Sequence, residues 1–393
     1  MKKLVLASMV AAAAVAAPAQ AVTVMAEDGW TLGVSGSINQ FAVFTENDAA
    51  GGEDIREVRD GLLPAFLNFD LKAPTMNGLD LAAHISFSPG TNSSSYDAFE
   101  QREVYFTVDG SFGQVLMGKA LGLYGSHNIL TEQTLYGVGY GTGGNGETTL
   151  GGIALGYDYA AWRSQIRYTT PDMNGFKAAF AVVDSSTPSF RLGANGNLPA
   201  SSLDTGAGGS DTDDFRYEAD LSYAGAFDGG SYSAWLSGAM EDRDDLAEDL
   251  QQWTVGGTLK VAGFEFMAQY SDSEDGTSGS AGTTCLAAGG CNGTAFGAVT
   301  PASASEKLEW DQYVIQAGYR FAGTTLVSAN YSELEDKSSS AVDGADESER
   351  ITLGVYHDVN SNLKLVAEYT KVENDDSDVL DQDIFAIGGF MFF

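Results

Sequence analysis

The sequence predicts an all-β fold, a 16-stranded antiparallel transmembrane β-barrel with one loop folded inward. Three observations predict it. Segments of roughly ten residues alternate apolar with polar side chains over nearly the whole length, giving each strand one greasy and one wet face. Tight turns alternate with long polar loops, as in an up-and-down barrel with its turns at one end and its loops at the other. One stretch, Leu121 to Trp162, is rich in Gly, Tyr, Asn and Thr and lacks the alternation; a loop that long is usually disordered or functional.

In chain order, Met1 to Ala21 reads as a signal peptide: Lys2 and Lys3 precede the apolar run Leu4 to Ala17, and Ala19-Gln20-Ala21 has the small-x-small form of a cleavage site. Residues 22–393 are then the exported barrel. No other run approaches the roughly 18 apolar residues of a transmembrane helix, so a membrane crossing would use strands.

The first strand is Trp30 to Phe44, with Leu32, Val34 and Ile38 opposite Ser35, Ser37 and Asn39; a polar loop from Asp48 to Asp60 follows. Leu62 to Lys72 and Leu79 to Ser88 flank a turn at Pro74 to Gly78, where Asn-Gly supplies positive φ cheaply. Leu79, Leu81, Ala83, Ile85 and Phe87 share a face, and Asp80, His84 and Ser86 the other. Glu100 to Val108 and Phe112 to Lys119 follow, with Val104, Phe106 and Val108 opposite Glu103, Tyr105 and Thr107.

After the long loop come Arg163 to Thr170, with Ile166 and Tyr168 against Arg163, Gln165 and Arg167, then a turn at Pro171 to Gly175 into Phe176 to Val183. The remaining strands are Phe215 to Tyr223, Ser231 to Met240, Trp253 to Val261, Phe264 to Ser271, Trp310 to Phe321, Thr324 to Ser332, Arg350 to Tyr356, Leu363 to Thr370 and Asp383 to Phe393. A soluble sandwich or adhesin would also alternate. Here the polar parity carries Arg216, Glu218, Lys260, Arg320, Arg350, Lys364 and Glu368, which a packed core could not hold unpaired and a water-filled lumen can.

The formal charge is −34, from 20 basic and 54 acidic residues, and removing the leader makes it more negative. Such a surface excludes nucleic acid as a partner; it suits a solvated exterior and is compatible with a cation-preferring pore. Cys285 and Cys291 share a Gly/Ala-rich segment and most simply form a local disulfide in an exported chain. Three scattered histidines make no nucleophile-base set, and no metal site or other cofactor is legible. Acid-dense loops, Glu241 to Asp249 and Asp272 to Asp275, could hold calcium or bridge lipopolysaccharide through divalent ions, but nothing matches an EF-hand loop and a solvated loop is the simpler reading.

The chain resembles the general diffusion porins of Gram-negative outer membranes. The residues that carry the resemblance are Val34 to Asn39 as first strand, Tyr105 to Gly113 with Met117-Gly118-Lys119 as the strand pair leading into a constriction loop, Ile166 to Phe176 as the strand leaving it, and the terminal Phe393 on one parity with Phe385, Ile387 and Met391. The resemblance implies a homotrimer in the outer membrane, in contact with its lipids and lipopolysaccharide, each barrel passing ions and small hydrophilic solutes by passive diffusion. It also implies a loop after the fifth strand that forms an eyelet, its acids facing a ladder of bases on the wall.

Carried onto this chain, the loop groups are Glu132, Glu147 and Asp158, with Tyr124, Tyr136 and Tyr140 shaping the opening. Each acid could instead be a solvated carboxylate or a buried partner of the wall bases. The pore-wall candidates are Lys119, Arg163, Arg167, His84, Glu103, Arg320 and Arg350. Strict alternation puts Lys119 outside with Val115 and Met117, so a bulge at Gly118 would be needed to turn it inward. Phe66 and Gln40 stand where related chains often have Arg, which thins the ladder and favours cations. A substrate-specific channel, an outer-membrane hydrolase and a barrel without an open pore are the competing readings; no Ser/His/acid set supports the hydrolase.

Overall fold

The computed structural model describes residues 22–47, 54–91, 99–141, 148–184, 214–242, 249–278, 305–337, 347–374 and 381–393. The expected leader and both cysteines lie outside them. Among the described residues no helix is long and apolar enough to cross a membrane.

All strands form one antiparallel sheet. They are β1 (Val22–Glu27), β2 (Trp30–Asn47), β3 (Ile55–Arg59), β4 (Phe66–Lys72), β5 (Asp80–Pro89), β6 (Phe99–Gly110), β7 (Gly113–Leu121), β8 (Trp162–Thr169) and β9 (Phe176–Val183), then β10 (Arg216–Phe227), β11 (Gly230–Glu241), β12 (Leu250–Val261), β13 (Phe264–Ser278), β14 (Ser305–Phe321), β15 (Thr325–Asp336), β16 (Glu347–Asn360), β17 (Leu363–Asn374) and β18 (Gln382–Phe392). Apart from β3 and β4, which both pair with β2, each pairs with the next around the ring, and β18 pairs with β2 to close it. β3 and β4 lie along the same edge of β2, opposite Phe41–Thr45 and Thr31–Ser37, so they are two pieces of one wall position interrupted at 60–65. β1 continues the row of β18 along the other edge of β2. The 18 strands therefore make a closed barrel of 16 positions.

The barrel is inside-out relative to a water-soluble protein. On β2, Ser35, Ser37 and Asn39 are buried while Ile38 is 51% exposed; on β18, Phe385, Ile387 and Met391 face out while Ile384 and Ala386 are buried. Exposed apolar rows are stable where lipid replaces water, and closure leaves no unpaired edge in that lipid. The tight turns follow the sequence: Asn77-Gly78 and Asn174-Gly175 both take two consecutive positive φ values, the geometry that matches strand twist in a two-residue hairpin. At the carboxyl end Phe393 exchanges two backbone hydrogen bonds with Gly36, fastening the end of the chain to the first wall strand. A Cβ on Gly36 would stand 2.3 Å from the Phe66 carbonyl oxygen, so the position requires glycine.

Two differences from the sequence reading have physical causes. Ile55–Arg59, read as loop because of its charges, is strand β3, which extends the wall toward the long-loop end where charged side chains meet water. β1 lacks a clean alternation and is fully exposed, so periodicity could not reveal it.

Candidate inner-wall loop site

The segment after β7, the fifth wall position, enters the barrel and stays there. It forms a short helix, α1 (Ser126–Thr131), then a single 3-10 turn at Gln133–Tyr136. A chain inside a barrel must satisfy its backbone polar groups against the wall, and the wall supplies side chains for this. Glu218 on β10 accepts from the backbone N–H groups of Leu123 (2.6 Å) and Tyr124 (3.3 Å). Glu368 on β17 accepts from those of Val138 (2.6 Å) and Gly139 (3.0 Å), and from the Tyr356 hydroxyl (2.5 Å). Gln316 accepts from the Gln133 N–H at 2.7 Å, and Gln312 from Gly156 at 3.1 Å. On the other side the interruption between β3 and β4 turns toward the loop, with Leu62 N–H bonded to Gly137 O and Thr149 N–H to Gly61 O.

The side chains of the loop are used the same way. Asn128 donates to Thr254 at 2.9 Å and accepts from the Trp235 indole at 3.2 Å. His127 stacks on Trp235 and lies 3.1 Å from Asp220. Glu132, 2% exposed, accepts from Asn330 (2.6 Å), from the Thr134 backbone N–H (2.9 Å) and hydroxyl, and from Arg350 (3.4 Å). Asp158 accepts from the Tyr124 hydroxyl (2.7 Å), Ser273 (2.5 Å), Gln252 (3.2 Å), Trp310 (2.9 Å) and Gln312 (2.8 Å). Five neutral donors take the place of water around that carboxylate. Burial holds the phenols of Tyr124, Tyr140, Tyr157 and Tyr159 above the ordinary tyrosine range.

The pore-lining expectation for the loop acids is therefore corrected: Glu132 and Asp158 are buried fasteners, Glu132 as partner of a wall base and Asp158 among neutral donors. Glu147 lies outside the described residues. Tyr124 and Tyr140 are fully buried, the latter bonded to Ile153 O. Tyr136 is half-buried, edge-on to Phe390 and Phe392, with the Lys364 ammonium 5.2 Å from its ring centre.

Of the wall candidates, Arg350 is wholly buried, bonded to Gly151 O, Ser332, Asn330 and Glu132. Arg163 is 3.6 Å from Glu218, which Arg216 also engages at 2.7 Å. Arg167 and Glu103 lie on the buried inner row, with Glu103 3.4 Å from His84 and His84 2.7 Å from Asp70. Arg320 sits at the short-turn end, in a chain of alternating charge that runs Lys260, Glu265, Arg320, Asp358, Lys364.

Lys119 is corrected. The β6–β7 and β7–β8 registers pass Gly118 without a shift, pairing Lys119 with Val104 and Ser164, so it stays on the outward row. Gln40 likewise pairs with Gly389 between the inward Asn39 and Phe41, and stands on the outward row.

Sequence reasoning placed Glu218 and Glu368 on the wet face without seeing that they hold the loop. It missed Asn128, Gln133 and Gln312 altogether, because a neutral amide in a polar stretch carries no signal until its partner is known. Most of the Glu241 to Asp249 loop lies outside the described residues, and Asp272 accepts from the Trp253 indole at 3.1 Å. Among the described residues one group could offer a cation three carboxylates within 4.8 Å of one another, Glu333, Glu347 and Glu349 on the outer face; Tyr313 and Tyr331 hydroxyls already donate to Glu333.

A family model described as Gram-negative porin matches residues 7–377. A search of the curated proteins finds no match. Among solved structures, the anion-selective porin from Comamonas acidovorans is similar at 15% identity and TM-score 0.62, over 93% of this chain and 100% of that one. The outer membrane channel DcaP of Acinetobacter baumannii is similar at 12% identity and TM-score 0.61, over 94% and 99%. Salmonella typhi OmpF in complex with daunomycin is similar at 14% identity and TM-score 0.61, over 94% and 99%. At such identities these structures speak for the fold alone.

Proposed function

The chain belongs to the Gram-negative porin family, and from that premise we propose that it passes ions and small hydrophilic solutes through the barrel by passive diffusion, with a preference for cations. The family and the fold are those of an outer-membrane channel. The observation that carries the diffusion reading is the loop: it enters the lumen after the fifth wall position and is fastened to β10, β14, β16 and β17 by buried side chains. A loop that is fixed in the bore sets its width permanently, as a passive filter requires.

The preference for cations rests on the excess of acids over bases, 54 to 20, which makes the mouths of the channel negative and enriches cations there. One structurally similar protein is an anion-selective porin, so the sign of selectivity belongs to each chain's own charges and not to the fold. Export by cleavage after Ala21 and assembly as a homotrimer in contact with lipopolysaccharide complete the reading. The test is the zero-current potential of the protein in a planar bilayer under a KCl gradient. A potential of cation-selective sign is expected; an anion-selective sign would overturn the preference, and absence of conductance would overturn the channel.

A further inference from the structure

The inward loop carries two kinds of side chain. Those bonded to the wall are buried, among them Tyr124, Asn128, Glu132, Gln133 and Asp158. α1 divides in the same way. At 3.6 residues per turn, Ser126, His127, Leu130 and Thr131 share one face, and Asn128 and Ile129 the other. The first four keep partial exposure, whereas Asn128 and Ile129 are buried. Asn128 is held by Thr254 and Trp235, and Ile129 belongs to the apolar cluster that joins the loop to the wall.

The free face of α1 has two anchored neighbours. His127, whose side chain is 22% exposed, stacks on Trp235 and lies 3.1 Å from Asp220. Tyr136, the next partly exposed residue along the loop, lies beside Lys364, just past the turn into β17, so this edge borders the short-turn half of the bore. No carboxylate is among the partly exposed residues of the loop that are described. Glu132 and Asp158, the acids of the loop that are described, are both buried and engaged in fastening it.

We propose that the face made by Ser126, His127, Leu130 and Thr131 is the edge of the loop that permeating ions and solutes meet, with Leu130 as its central, specificity-determining residue. The loop then narrows the bore with a rim that carries no fixed negative charge, and leaves the choice between cations and anions to the wall and the mouths. A single fixed charge at about 5 Å changes the local concentration of a monovalent ion roughly fourfold in water. A rim without one hardly sorts ions by sign, and a charge placed on it must show. This deepens the channel reading and rests on it.

The test puts that charge on the rim after the protein has folded. Full-length Leu130→Cys is treated in a planar bilayer with a negatively charged and, separately, a positively charged methanethiosulfonate, and the zero-current potential is read in a KCl gradient centred on about 0.1 M. The negative adduct should raise the cation-to-anion permeability ratio at least about twofold, and the positive adduct should lower it by a similar factor. Wild type, with Cys285 and Cys291, is the blank, and Ile129→Cys on the buried face should not respond. Folding of each variant is checked by heat-modifiable electrophoretic migration. Mass spectrometry of the folded protein in detergent should show Leu130→Cys labelled at least about tenfold faster than Ile129→Cys, since access controls thiol reaction. An unchanged ratio after complete labelling, the same sign of change with both reagents, or an equal response at positions 129 and 130 would each overturn the proposal. If the wild type does not conduct, the diffusion reading falls, and labelling alone decides whether Leu130 or Ile129 faces the bore.

Discussion

Glu132 in the loop and Arg350 on the wall form an ion pair in which neither side chain has measurable exposure, Oε1 to Nη2 3.4 Å. Removing one member of such a pair leaves a charge without its partner in a site that water cannot enter. Arg350→Met is expected to destabilise the protein by about 3–5 kcal/mol, whereas Glu132→Gln combined with Arg350→Met should cost clearly less. Reversible urea unfolding in lipid vesicles reads both. Equal losses in the single and double variants would show that the coupling is absent.

Gly137 shows how closely the loop approaches the wall. A Cβ there would stand 1.7 Å from the Glu368 carboxylate, the group that accepts from Val138 and Gly139. Gly137→Ala should therefore push the loop off β17, cost roughly 1–3 kcal/mol and widen the distribution of single-channel conductance. Glu368→Ala removes the clash, so in the double variant the effect of alanine at 137 should shrink. A Gly137→Ala channel with wild-type conductance and stability would contradict the placement of the loop.

At the short-turn end the inner row carries charges that keep partial exposure. Arg320 donates to Glu265 at 2.5 Å and lies 3.6 Å from Asp358, while Lys260 and Lys364 hold the outer ends of the chain. Arg320→Gln removes the central positive charge and leaves each acid one lysine. The zero-current potential should move toward cation selectivity in about 0.1 M salt, and the shift should fade near 1 M, where the screening length drops to about 3 Å. A shift toward anions, or none at low salt, would mean that this chain of charges does not face the conducting path.

How much of this was legible beforehand depended on whether a residue's role is set by its own strand. Alternation placed Ile38 outward and Asn39 inward, because sidedness is a local property of an extended chain. It also made Lys119 an outward residue unless a bulge intervened, and none does. It failed at Arg102, where a bulge does intervene one strand earlier and nothing in the local residues announces it. The role of the loop acids was illegible for a different reason. Whether Asp158 meets water or five neutral donors depends on Gln252, Ser273, Trp310 and Gln312, each of them about a hundred or more residues away in sequence.

The loop tyrosines make the packing of the bore testable by pH. Tyr124, Tyr140, Tyr157 and Tyr159 are all buried, and burial raises each phenol above its ordinary value near 10 because the phenolate cannot be solvated. A folded value above the unfolded one means that the stability is whole below pH 10 and is lost as the pH climbs toward the folded values, since the unfolded chain ionises first. Absorbance at the phenolate band should show this buried group ionising above pH 10, together with loss of the folded barrel. Replacing Tyr140 by Phe removes one of these groups at the cost of its bond to Ile153 O, and should lessen the alkaline loss of stability relative to neutral pH. If all tyrosines titrated as one class near pH 10 with the barrel intact, the loop would have to be open to water, and the buried fastening of Asp158 through Tyr124 would fall with it.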